Sequence, residues 1–149
     1  DSELPIKLKY TMKKILVLCT GNSCRSQIAH GYLQFFSGNR AEVYSAGVET
    51  HGVNPKAIAT MQADGIDISG YTSNNIMEYI SIPFDYVITV CDHAKEQCPI
   101  LPGKGTTIHH NFKDPSKVVG TEEMIEAAFI ETRNEIKTFC RQFCETYLD

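Results

Sequence analysis

Residues 13–19, KKILVLC, form a short and almost unbroken apolar run that stops at four turn formers, Thr20, Gly21, Asn22 and Ser23. From Ser26 the pattern turns helical: Ile28, Ala29, Tyr32, Leu33 and Phe36 fall on one stripe, and Gly38 offers an end. An apolar run of this length fits a strand buried on both faces, and a strand that passes through a tight turn into a helix belongs to an α/β architecture. The alternation continues. It predicts a strand around Glu42–Ala46, a helix over Pro55–Ala63, a brief helix near Asn74–Ile80, and a second buried strand in FDYVITVC ending at Cys91. A weaker strand over Thr106–His110 and a long amphipathic helix from Thr121 to Tyr147 complete the chain. That helix has Glu122 and Glu123 in its first turn, which suits the helix dipole, and a core stripe of Ile125, Ala128, Phe129, Ile136, Phe139, Cys140 and Phe143. The expected fold is a single α/β domain with a small four-stranded parallel sheet and helices on both faces. Such sheets bind ligands beyond the carboxyl ends of their strands, where Cys19 and Cys91 both stand.

Composition narrows the reading. With 149 residues, 42% hydrophobic and 21% charged, the chain has the material for one core. Residues 1–11, DSELPIKLKYT, carry no periodicity and precede Met12, so an extension is expected there and the domain over 12–149. The net charge of −4 argues against a surface that tracks nucleic acid or anionic lipid, so any anion site must be local. No apolar run approaches the roughly 20 residues of a membrane span, and Ile15–Cys19 is shorter than the about 7–15 residues of a signal-peptide core. A cytoplasmic protein is expected. The six cysteines are then not expected to form a disulfide framework, and they separate into Cys19 and Cys24, Cys91 and Cys98, and Cys140 and Cys144.

The most specific signal is Cys19-Thr20-Gly21-Asn22-Ser23-Cys24-Arg25-Ser26, a cysteine and an arginine spanning a small-residue loop between strand and helix. Such a loop can curl until its backbone N–H groups converge into an anion nest at a helix N-terminus. Gly21 and Asn22 are residue types that tolerate the left-handed backbone a curl needs. Converging donors stabilise a thiolate, so Cys19 is expected to lose its proton readily. Arg25 would hold two oxygens of a tetrahedral oxyanion in its planar fork, and Ser26 would donate to the sulfur.

These residues resemble the active-site loop of low-molecular-weight protein tyrosine phosphatases and of the thioredoxin-coupled arsenate reductases built on the same fold. The resemblance runs from Lys13 to about Arg141 and includes SAGVETHGVNPKAI and CPILP. It implies an oxyanion site made of Thr20, Gly21, Asn22, Ser23, Cys24 and Arg25, with Cys19 as nucleophile. It also implies a general acid at Asp114, which precedes Pro115. The phosphatases follow that pair with tyrosines that line the substrate, whereas Ser116 and Lys117 follow here. An isolated Asp-Pro is otherwise a common turn.

Cys91 and Cys98 stand seven positions apart after the second buried strand. Paired cysteines in a cytosolic chain serve metals or redox chemistry. A zinc site is poorly supported, because no CxxC occurs, although His93, His109 and His110 stand nearby in sequence. The resemblance implies the redox role. Cys91 attacks a Cys19–arsenic adduct, arsenite leaves, Cys98 moves the disulfide to Cys91–Cys98, and thioredoxin reopens it. Arsenate would be the substrate and phosphate its analogue, with no cofactor and no metal. A phosphatase acting on phosphomonoesters, and a binding module using the same nest, are the alternatives. If the Cys91–Cys98 segment is helical when reduced, its ends lie about 10.5 Å apart along the axis, so oxidation has to unwind it. Cys24, Cys140 and Cys144 are expected to be packing thiols, and His51, His109 and His110 to sit in loops or at a strand end. His30 departs from the resemblance, whose arsenate reductases commonly carry a glutamate there that in some members helps hold potassium.

Overall fold

The computed structural model describes residues 12–92, 96, 98–101, 103 and 105–148. The expected extension over 1–11 and the candidate ligand His93 lie outside the described residues. Four parallel strands, β1 (Lys13–Cys19), β2 (Ala41–Gly47), β3 (Tyr86–Thr89) and β4 (Thr106–His109), lie in the order β2-β1-β3-β4. The central pair follows from the sequence: Ile15 to Leu18 of β1, and Val87 and Ile88 of β3, are wholly buried, as strands covered on both faces require. Among the described residues, α1 (Arg25–Ser37) joins β1 to β2, α2 (Pro55–Ala63) lies between β2 and β3, and α3 (Glu122–Tyr147) follows β4.

The two faces of the sheet are covered unequally. Ile15, Val17 and Cys19 point into a large core with Ile28, Tyr32 and Leu33 of α1, Met61 of α2, and Phe129, Ile136 and Phe143 of α3. Leu16 and Leu18 point the other way, into a smaller core with Ala46, Ile76, Phe84 and Val87. A 3-10 helix, Ile76–Tyr79, closes that second face. The brief helix expected over 74–80 is this single tighter turn, set by a capping box between Asn75 and Glu78 and ended before Pro83 returns the chain to β3. The helix caps follow local chemistry. Asn54 accepts from the N–H groups of Lys56 and Ala57 with Pro55 behind it, and Thr121 accepts from Met124. Among the described residues no helix is long and apolar enough to cross a membrane.

The register sets the position of the site. Leu18 of β1 pairs with Thr89 of β3, and Val90 N–H donates to Leu18 O at 3.0 Å. Cys19 and Cys91 therefore leave neighbouring strands at the same carboxyl edge. Asp114 reaches that edge from beyond β4, where Phe112 N–H bonds Val90 O.

Candidate active site

The loop from Cys19 to Arg25 is shaped by partners that take its carbonyls. Thr20 O accepts from Glu49 N–H, Gly21 O from His51 N–H and Ser23 O from Asn54 N–H, at 3.0–3.1 Å. Asn22 O accepts from Gln27 Nε2 and Ser73 Oγ. With these carbonyls turned outward, the N–H groups of residues 21–24 find no carbonyl among the described residues, the condition for an anion nest. Asn22, at φ 47°, is the left-handed residue that makes the turn, and its side chain locks it: Oδ1 accepts from Asn74 N–H at 2.7 Å and Nδ2 donates to Ser26 Oγ at 2.8 Å. Gly21 matters for a different reason from the one expected. Its φ is not positive; instead a Cβ there would stand 2.6 Å from His51 Nδ1. Gly47 likewise lets the end of β2 approach the loop, since its Cβ would lie 2.5 Å from Thr20 O.

Arg25 opens α1 and is 3% exposed. Its Nη1 donates to Glu96 Oε2 at 2.8 Å and to Phe112 O at 3.2 Å, while Nη2 donates to Glu96 Oε1 at 2.6 Å and lies 3.5 Å from Asp114 Oδ2. The buried Nε makes no hydrogen bond, which leaves one N–H of the fork for a ligand. Asp114 combines both readings of Asp-Pro. Its Oδ1 accepts from Ser116 N–H and Oγ and caps the 3-10 helix Pro115–Lys117, while Oδ2 faces Arg25. Together these side chains line a cavity of about 340 Å³ with Cys19, Thr20, Gly21, Ser23 and Cys24.

Ser26 Oγ accepts from Asn22 Nδ2, which ties Ser26 to the loop's shape. One expectation about this loop needs correction. The Cys19 thiol is not poised low in this conformation: burial pushes its pKa up, Arg25 and the Thr20 N–H pull it down, and Glu96 and Asp114 push it up again. The reason is the enclosure of the thiol first, and then Glu96, a second carboxylate beside the expected Asp114. Cys24 is a packing thiol in the large core, and its pKa is raised mainly by burial.

Cys91 is wholly buried and bonded to Cys98, with their Cα atoms 5.7 Å apart. Cys19, Cys24, Cys140 and Cys144 take part in no disulfide. Cys140 donates to Ala29 O at 3.7 Å across the α1–α3 contact, as a structural thiol does. His30 packs against Tyr71 with Nδ1 2.9 Å from Ser45 Oγ, and burial lowers its pKa to about 4, so it stands neutral behind the loop. His109 ends β4, and His110 follows it, stacked on Phe112. No group of three or more His, Cys, Asp or Glu fit to hold a metal ion occurs among the described residues.

Sequence reasoning missed Glu49, His51, Glu96 and Lys117, which line the cavity. Glu49 and His51 pair at 2.6 Å on its rim. ETHG carried the signal for the first two, and the position of Glu96 between the paired cysteines carried it for the third.

A family model for low molecular weight phosphotyrosine protein phosphatase matches residues 14–148. The chain is 46% identical over 134 residues to an arsenate reductase of Halalkalibacterium halodurans, covering 90% of this chain and 96% of that protein. It is 45% identical to an arsenate reductase of Bacillus subtilis with the same coverage. It is also similar to a solved arsenate reductase in its oxidised state, with a TM-score of 0.76 and 28% identity, covering 91% of this chain and 98% of that one.

Proposed function

The chain belongs to the low molecular weight phosphotyrosine protein phosphatase family, and from that premise we propose that it is an arsenate reductase working through a thiol relay that thioredoxin regenerates. The observation that carries this reading over simple ester hydrolysis is the Cys91–Cys98 disulfide beside the cysteine–arginine loop. A hydrolase needs the loop and an acid; it has no use for two further thiols at the same strand edge.

Arsenate shares the charge and shape of phosphate, and the N–H groups of the loop with Arg25 bind it. The Cys19 thiolate attacks arsenic and forms a sulfur–arsenic(V) bond, while an arsenate oxygen leaves as water with a proton from Asp114. The Cys91 thiolate then attacks the Cys19 sulfur. A Cys19–Cys91 bond forms, the sulfur–arsenic bond breaks with its electron pair going to arsenic, and arsenite departs as arsenic(III). Cys98 attacks Cys91, which releases Cys19 as thiolate and leaves the Cys91–Cys98 disulfide. Two electrons from the thioredoxin dithiol restore both thiols.

The second reading is hydrolysis of phosphomonoesters, which the same Cys19, Arg25 and Asp114 can support. Against it, Ser116 and Lys117 stand where the resemblance expects substrate-lining tyrosines, and both line the cavity. The test is arsenate-dependent oxidation of reduced thioredoxin, measured beside hydrolysis of an aryl phosphate in one preparation. The reductase reading expects multiple arsenate turnovers per chain; aryl phosphate hydrolysis without them would favour the phosphatase.

A further inference from the structure

Glu96 lies between the two bonded cysteines, and its carboxylate takes both terminal nitrogens of Arg25, at 2.8 and 2.6 Å. Thr20 Oγ1 donates to the same group at 3.1 Å and Asp92 N–H at 3.0 Å. A planar anion thus sits on both terminal nitrogens of the guanidinium that an incoming oxyanion requires, and only the buried Nε of Arg25, a side chain 3% exposed, is left without a hydrogen bond. Arg25 holds Glu96 down at a pKa of about 2, so the carboxylate stays ionised at any physiological pH. Glu96 and Arg25 also line both the Cys19 cavity and a larger one, of about 730 Å³, beside it.

We propose that Glu96 is an internal carboxylate ligand of the oxyanion clamp in the Cys91–Cys98 disulfide form, closing the oxidised enzyme to arsenate and phosphate until the disulfide is reduced. The inference rests on the reading of the Cys19–Arg25 loop as an oxyanion site. The disulfide supplies the coupling. Cys91 is anchored at the end of β3 and wholly buried, so its bond to Cys98 closes a small ring that contains Glu96 and holds the carboxylate over Arg25 at high effective concentration. Reduction frees the Cys98 end, and a carboxylate tethered at one end only is displaced by a doubly charged oxyanion. By linkage the effect is reciprocal: a bound oxyanion disfavours the disulfide as much as the disulfide disfavours the oxyanion. The device has a chemical use. An arsenic adduct formed on Cys19 while Cys91 is oxidised has no thiol to resolve it, and Glu96 prevents that adduct by occupying the clamp. Glu96 also pushes the Cys19 thiol up, which quiets the nucleophile in the same state.

The test is calorimetric titration with inorganic phosphate at pH 7, on the full chain and on Glu96→Gln, each in the dithiol and the mass-verified Cys91–Cys98 state. Oxidised wild type is expected to bind phosphate at least about tenfold more weakly than reduced wild type, and the two states of Glu96→Gln to agree within about twofold. In a dithiothreitol redox buffer, added phosphate should raise the reduced fraction of wild type and leave Glu96→Gln unmoved. Equal phosphate affinity in the two wild-type states, or a gap that survives in Glu96→Gln, overturns the inference while leaving the reductase reading intact. A reduced wild type that binds no phosphate overturns the oxyanion site itself, and the inference with it.

Discussion

The Cys19–Arg25 loop and the segment closed by Cys91 and Cys98 meet at one site and are held in opposite ways. The loop's carbonyls from Thr20 to Ser23 are all engaged by residues 27, 49–54 and 73, and Asn22 is fixed by both ends of its side chain. The segment is held by a covalent bond that chemistry can open, by the Arg25–Glu96 ion pair, and by Asp92 O accepting from Glu96 N–H at 2.9 Å. An anion clamp works when its donors are in place before the substrate arrives, because reorganising them would consume the binding energy. A thiol relay works only if a sulfur can change partners. On the proposed reading, the first requirement falls on a turn locked by its surroundings and the second on a segment whose main lock, a disulfide, chemistry can open.

The sharpest way to break this division is at the fixed half. Cys19→Ser is expected to abolish arsenate reduction and any aryl phosphate hydrolysis, a loss of at least about a thousandfold in turnover. Arg25→Lys keeps the charge and loses the fork, and kcat/KM for arsenate should fall about a hundredfold or more in steady-state assays. Asn22→Ala removes the lock, forces alanine into the left-handed region, and should lower arsenate and aryl phosphate turnover together by about tenfold or more. A change that spared aryl phosphate while lowering arsenate would assign Asn22 to the relay instead.

The contrast between the two halves also explains what could be seen in the sequence. Strand β1, the turn and α1 were legible because a five-residue buried run, small turn formers and 3.6-residue spacing each have one cheap structural solution. Cys19, Arg25 and the strand-edge position of Cys91 followed from that, and α2 came out with its bounds because Asn54-Pro55 marks a helix start in one way. Glu96 was not legible, because a glutamate in a polar loop has no periodicity and its partner Arg25 is 71 residues away. The Cys19 environment was misjudged for the same reason: local sequence showed the donors of the nest, while the enclosure of the thiol and the second carboxylate, Glu96, come from distant segments. The unequal cover of the sheet was equally hidden, since a capped 3-10 turn and a short helix share one sequence pattern.

Smaller effects test the scaffold that keeps the halves together. Ile136→Ala in the α1–α3 core should cost about 2–5 kcal/mol in chemical denaturation, with phosphate affinity of the folded protein unchanged. His30 provides a pH signature. Its pKa is near 4 folded against the ordinary 6.5, so the unfolded chain binds the extra proton between those values. Stability is therefore full above about pH 6.5 and falls as pH drops towards 4, by up to about 3 kcal/mol, and His30→Gln should flatten that slope. A wild-type slope retained in His30→Gln would place the titrating group elsewhere.

The relay itself is tested most directly by a single turnover of Cys98→Ser with arsenate, quenched in acid and mapped by mass. This variant keeps the clamp, the nucleophile and the first resolving thiol, and lacks only the last. The account predicts one arsenite released per chain and a Cys19–Cys91 disulfide that accumulates without further turnover, with aryl phosphate hydrolysis intact before arsenate is added and lost once Cys19 is in the disulfide. Arsenite production that continues through many turnovers, or a quenched chain whose Cys19 and Cys91 are both free thiols after arsenite has left, would contradict it.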